Sequence, residues 1–146
     1  MIVPDVNLLL YAEIDAYPQH EGARRWLEET LSGDTLVGIP SVSLFGFVRI
    51  ATNRRVFVDP LSPEGALARV DAWLACPNVT FLVPGPRHLA IAFGLLRSLG
   101  TGANLTTDVQ VAALAIENHA EVHSNDTDFG RFEGLRWKNP LARRSR

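Results

Sequence analysis

The chain has 146 residues, 47% apolar and 21% charged, which suffices for one buried core and is far from a disordered composition. A net charge of −2 and a pI near 6.1 exclude a uniformly basic nucleic-acid binder. The single cysteine, Cys76, excludes an internal disulfide framework and a cysteine-based zinc cluster.

No apolar run approaches the roughly 18 residues that cross a bilayer, and Met-Ile-Val-Pro-Asp at the start is no signal peptide. A cytoplasmic protein is expected, with one domain over 1–141 and a basic tail over 142–146. In chain order, residues 1–4 read as a buried strand and 6–14 as a helix, which Pro18 ends. Residues 19–32 form an amphipathic helix with Ala23, Trp26, Leu27 and Leu31 on one face. Gly33-Asp34 stops it, and 35–39 read as a second strand ended by Pro40. Ser41 is placed as the N-cap of an apolar helix to Asn53. Ser62-Pro63-Glu64 combines cap, proline and first-turn acid for a helix over 63–75.

Val79–Val83 reads as a third strand, and 87–99 as a helix after Pro84-Gly85-Pro86. Thr107 is placed as the cap of a helix over 108–119 that is apolar nearly all round, hence buried on more than one side. Glu121–Ser124 is a fourth strand and 135–138 a weaker fifth. Strands alternating with helices predict an α/β fold with a parallel sheet between two helical layers. In such sheets ligands bind beyond the carboxyl ends of the strands.

Asp5 follows the first strand, and Asp126 and Asp128 follow the fourth. Asp108 opens the helix that feeds the fourth. Asp5 and Asp108 also fit plain helix caps, and Asp126-Thr127-Asp128 a plain turn. Several carboxylates at one edge resist joint ionisation, a conflict that a divalent cation removes. Oxygen-only ligands suit Mg2+ or Mn2+. There is no phosphate-binding glycine loop and no G-x-S-x-G elbow. His20, His88, His119 and His123 are scattered, and Cys76 lacks a basic setting.

Charge is uneven along the chain. Residues 1–34 carry the acids Asp5, Glu13, Asp15, Glu21, Glu28, Glu29 and Asp34 against Arg24 and Arg25. Residues 129–146 carry Arg131, Arg136, Lys138, Arg143, Arg144 and Arg146 against Glu133. Such a dipolar molecule can meet a polyanion at one edge and hold cations at another.

Four segments in this order resemble the PIN domain, and more narrowly the VapC toxins of bacterial toxin–antitoxin pairs. They are Asp5-Val6-Asn7 with the leucines after it, Phe47-Val48-Arg49 through Asn53, Thr107-Asp108 with Ala112-Ala113, and Ser124-Asn125-Asp126-Thr127-Asp128-Phe129. The resemblance runs from Val3 to about Leu141. It implies a three-layer α/β/α fold around a mostly parallel sheet of four to five strands. It also implies a Mg2+- or Mn2+-dependent endoribonuclease that cuts tRNA or rRNA, forms homodimers and is blocked by a VapB-like antitoxin.

Carried over by position, Asp5, Asp108 and Asp126 match metal-binding acids, and Asp128 the acid of the following D-F pair. Asn7, Thr107 and Ser124 match supporting polar residues. Arg49, Arg143 and Arg144 are candidates for phosphate contact. One departure stands out: where the family commonly has a glutamate three residues before Arg49, this chain has Gly46.

Two other readings stay open. One is a PIN-fold module that binds RNA or a partner without cutting. The other is a receiver domain or a phosphatase. The latter is disfavoured because Lys138 is the only lysine and Asp5 opens no D-x-D.

Overall fold

Two strands of the sheet end in proline, and each passes straight into a helix. Pro4 closes β1 (Ile2–Pro4) before α1 (Val6–Glu13), and Pro40 closes β2 (Val37–Pro40) before α3 (Ser41–Ala51). A proline cannot donate to a sheet ladder and suits the extended entry to a helix. The computed structural model describes residues 1–100, 102 and 105–142. Between α1 and β2 lies α2 (His20–Ser32), followed further on by α4 (Pro63–Leu74), β3 (Val79–Leu82) and α5 (His88–Leu99). The chain ends through α6 (Thr106–Glu117), β4 (Glu121–His123), a 3-10 turn (Thr127–Arg131) and β5 (Arg136–Lys138).

The five strands are all parallel, in the order β3-β2-β1-β4-β5. Helices α1 to α4 bury Leu8, Trp26, Phe47 and Trp73 against one face, where β2 presents Val37 and Ile39. Helices α5 and α6 bury Ala92, Leu95, Val109 and Ala112 against the other, where Val3, Leu82 and Val122 point. The fold is therefore the expected three-layer α/β/α arrangement. The run of alanine and valine in α6 lets that helix sit close to the sheet and to its neighbours at once.

Side-chain caps at the N-cap residue open α1 and α4 alone among these helices. Ser62 Oγ accepts from Gly65 N–H at 3.0 Å, with Pro63 as the first helical residue. Ser41, in contrast, is already inside α3, and Pro40 occupies the cap position without a side-chain bond. Thr107 is not a cap either: α6 begins at Thr106 after Leu105. At its other end α6 stops at Glu117, because His119 adopts a left-handed backbone (φ 52) and Ala120 N–H donates to Ala115 O at 2.8 Å. That is a helix-ending motif usually given to glycine or asparagine.

Glu117 serves a second element. Its two carboxylate oxygens accept from the backbone N–H groups of Gly85 and Arg87, each at 2.8 Å. They supply the start of α5 with the acceptors that its own residues do not provide.

Candidate metal centre

The chain leaves β1 toward β2 on one side and later lays β4 on the other. Strand order reverses there, so the loops beyond β1 and β4 part and leave a crevice. Asp5 stands at the end of β1, and Ser124 to Asp126 at the end of β4. The two ends are pinned together by Asp5 N–H donating to His123 O at 2.9 Å.

Asp5 is buried and both its oxygens are engaged. Oδ1 accepts from Val6 N–H at 2.8 Å, which makes Asp5 the cap of α1, and Oδ2 accepts from Ser124 Oγ at 2.7 Å. The Ser124 side chain is fully buried. Its Oγ accepts in turn from Asp126 N–H at 2.9 Å and, more loosely, from Asn7 Nδ2 at 3.4 Å. Asp126 Oδ1 accepts from Asp128 N–H at 2.9 Å, an Asx turn that brings the second acid back toward the first.

Asp108, in the first turn of α6, completes the arrangement. Asp108, Asp126 and Asp128 each present one carboxylate oxygen, and these lie within 4.8 Å of one another. Asp5 is not in this trio but borders it. Burial first, then the charges of Asp5, Asp126 and Asp128, push Asp108 up to about 7. Burial also raises Asp5, against the bonds from Ser124 and Val6, and Asp126 adds to the rise. Among the described residues, the cation paired with these acids is Arg131, exposed and 3.6 Å from Asp128.

Three half-buried carboxylates facing one exposed arginine are held at a cost that a divalent cation offsets. The donor set is all oxygen, which fits Mg2+ or Mn2+ rather than softer metals. The residues therefore suit the metal that the sequence suggests, and Asp128 lies with Asp108 and Asp126 while Asp5 borders them.

Other candidates fall elsewhere. Thr107 is exposed on α6, and among the described residues no hydrogen bond ties its side chain to the acids. Arg49 is exposed in the last turn of α3, about 12 Å along the helix from its start at 1.5 Å per residue. Arg143 and Arg144 lie outside the described residues. Gly46 faces the neighbour of Asp5: a Cβ there would stand 3.2 Å from Val6 Cγ2. A side chain at this position would thus start toward the site, where this chain presents none.

Sequence reasoning passed over Asn125 and Asn139. Asn139 Nδ2 donates to Asn125 Oδ1 at 3.1 Å. Asn125 was legible as the residue between Ser124 and Asp126. Asn139 carried no signal of its own, because its nearness depends on β5 lying beside β4.

The PIN domain family model matches residues 2–135. Ribonuclease VapC33 of Mycobacterium tuberculosis is 55% identical over 97% of this chain and 99% of its own. Ribonuclease VapC37 of the same organism is 45% identical over 97% of this chain and 99% of its own. Among solved structures, VapBC2 from Rickettsia felis, bound to a DNA fragment from its promoter, superposes with a TM-score of 0.67. It is 19% identical and covers 95% of this chain and 98% of that one. VapBC-1 from nontypeable Haemophilus influenzae gives 0.68 at 16% identity, over 97% and 100% of the two chains. The chain belongs to the PIN-domain family, in its VapC branch.

Proposed function

We propose that this protein is the toxin of a type II toxin–antitoxin pair, a Mg2+-dependent endoribonuclease that Mn2+ also supports. Its substrate in this reading is cellular RNA, tRNA or rRNA, cut in the cytoplasm to halt translation. The observation that carries it is the trio of Asp108, Asp126 and Asp128 at the strand switch point, where among the described residues the one paired cation is the exposed Arg131 on Asp128. The names of the relatives at 55% and 45% identity, both ribonucleases, support the same reading.

When bound, the divalent ion supplies an activated water and neutralises charge at the phosphodiester. The protein's own residues prepare the place. Asp108, Asp126 and Asp128 would hold the ion, with Asp5 at their border as a further ligand or as the anchor of the edge. Ser124 fixes Asp5 and the backbone of Asp126 with one hydroxyl, so the acids need little reorganisation. Asn7 braces that hydroxyl from α1. Asp108, pushed up to about 7 by burial and its acidic neighbours, is only partly protonated near neutral pH and would lose that proton to a bound cation.

The antitoxin belongs to the same proposal. An apolar groove of about 400 Å³ runs between α2 and α4, lined by Ala12, Leu27, Leu31, Ala68, Ala72 and Trp73. Its apolar floor, rimmed by Glu13, Arg24, Glu28 and Arg69, suits the apolar face of a partner helix, and the similar solved structures are VapBC complexes. Trp26 is core instead, with Nε1 donating to His123 Nδ1 at 3.0 Å. A homodimer completes the assembly, and exposed apolar side chains such as Phe45 on α3 and Leu89 and Phe93 on α5 are available for a second copy to cover. Gly46 favours one competing reading, a module that binds RNA without cutting it.

Controlled expression tests the toxin. The wild-type chain should arrest growth, and Asp5→Asn should abolish the arrest while the purified variant keeps its fold by circular dichroism. A folded Asp5→Asn protein that still stops growth would remove Asp5 from the site. Expression of the wild type without arrest and without new RNA ends would remove the toxin reading itself.

A further inference from the structure

The segment after β5 comes back to the acid edge. Asn139 follows β5 directly, and its side-chain amide is used at both ends. Nδ2 donates to Asn125 Oδ1 at 3.1 Å, and Oδ1 accepts from Leu141 N–H at 3.0 Å. The Leu141 N–H must meet an oxygen, so the orientation of the amide follows from the pattern. Leu141 in turn lies over Gly22 of α2, its Cδ2 3.6 Å from where a Cβ would stand, and packs on the core of the α1–α4 layer. The segment is thus anchored in apolar packing on one side and tied to the acid loop on the other.

Asn125 is the link between the buried hydroxyl of Ser124 and the carboxylate of Asp126. Its backbone N–H reaches Asn7 Oδ1 at 3.5 Å, the far limit of a hydrogen bond. The bond from Asn139 is the shorter of the two ties on this residue. Ser124 N–H donates to Lys138 O at 3.0 Å and Asp126 N–H to Ser124 Oγ at 2.9 Å, but without Asn139 the Asn125 residue between them keeps only its long bond to Asn7, and a tilt of Asn125 re-aims the peptide that presents Asp126. Groups that orient metal ligands without touching the metal set affinity in this way.

We infer that Asn139 is a positioning residue for the acid trio: through Asn125 it holds the loop from Ser124 to Asp126 so that Asp126 can share a cation with Asp108 and Asp128. The role rests on the metal centre proposed above. Asn139 reaches it from 14 residues beyond Asn125, through a different strand. Asn139→Ala removes both the tie to Asn125 and the acceptor of Leu141 N–H, and leaves the apolar packing of Leu141 to hold the segment on α2.

The test is a Mn2+ titration of the full chain, read by the electron paramagnetic resonance signal of free Mn2+, for the wild type, Asn139→Ala, Asn125→Ala and the double variant. Thermal melts of all four accompany it. Asn139→Ala should weaken Mn2+ binding by about tenfold, the lower end for groups that orient ligands. Asn125→Ala breaks the same bond from its other side, so the double variant should bind no more weakly than the weaker single one. Wild-type-like Mn2+ affinity in Asn139→Ala overturns the positioning role and leaves the metal centre standing. Losses that add fully in the double variant also overturn it, because they show two independent effects. If the wild type binds no Mn2+, the metal centre fails and this role fails with it.

Discussion

Gly46 of α3 faces Val6 of α1 so closely that a Cβ on Gly46 would stand 3.2 Å from Val6 Cγ2 and 3.7 Å from Val6 Cβ. The valine beside Asp5 and the glycine in place of the family's glutamate therefore form one packed contact. Glycine inside a helix ordinarily costs about 0.5–1 kcal/mol against alanine. Here the alanine methyl would need Val6 to give by a few tenths of an ångström, and that crowding offsets the propensity gain. Gly46→Ala should accordingly fail to stabilise, and Gly46→Glu should lower the melting temperature. In a Val6→Ala background the sign should reverse, with Gly46→Ala gaining up to about 1 kcal/mol. Chemical denaturation of the four proteins in this cycle measures the coupling. Equal effects of Gly46→Ala in both backgrounds would show that Val6 is not the obstacle.

Ser124 joins two acids with one hydroxyl, donating to Asp5 Oδ2 and accepting from Asp126 N–H. Both bonds lie in a buried place, where a group left without its partner costs about 1–3 kcal/mol. Ser124→Ala should lose stability on that scale in urea unfolding. It should also lower RNA cleavage, since Asp5 loses the bond that favours its charged form. Full stability in Ser124→Ala would mean that water replaces the hydroxyl without cost.

Asp108 sets a pH dependence with a definite sign. Its carboxyl sits near 7 in the folded protein, through burial and then its acidic neighbours, against about 4 when unfolded. Between these values the folded state holds a proton that the unfolded state has lost. The contribution of Asp108 to stability is therefore complete below about pH 4 and is lost as pH rises through about 7. The melting temperature of the wild type relative to Asp108→Asn, both in EDTA, should fall across this window. His123, lowered by burial first and then by Lys138 against the pull of Glu121, acts in the opposite sense. It weakens the fold as pH drops below about 6.5, but it is common to both proteins and cancels in the difference. Stabilisation by added Mg2+ should grow over the same window, as the carboxylate becomes free to bind. A wild-type–variant difference that stays flat from pH 4 to 8 would place Asp108 outside an acidic neighbourhood.

The elements were legible because proline, the Ser62 cap and apolar periodicity act within a few residues of the boundaries they set. The misplacements came where a distant contact or an uncommon backbone decided. The 108–119 helix was read two residues too late at both ends, at its far end because His119 takes the left-handed turn that a glycine usually marks. Ser41 and Thr107 were read as caps on residue type alone, while Pro40 and Leu105 hold those positions. The acids of the site were legible because parallel sheets gather strand ends at one edge. Which three would meet was not, because it depends on the Asx turn that brings Asp128 back and on Ser124, which occupies Asp5. Asn139 was invisible for a similar reason. Only the order β1-β4-β5 puts it beside Asn125.

The central claim is that these acids make a metal-dependent RNA-cutting centre. The most direct measurement is cleavage of total RNA by the purified, antitoxin-free protein in Mg2+, Mn2+ or EDTA, beside Asp108→Asn and Asp126→Asn. Discrete fragments that need the metal and vanish in both folded variants are the predicted result, and they would show that Gly46 does not disable the site. Intact RNA in every metal, with RNA still retained in EDTA, would contradict the claim and leave a PIN module that binds without cutting.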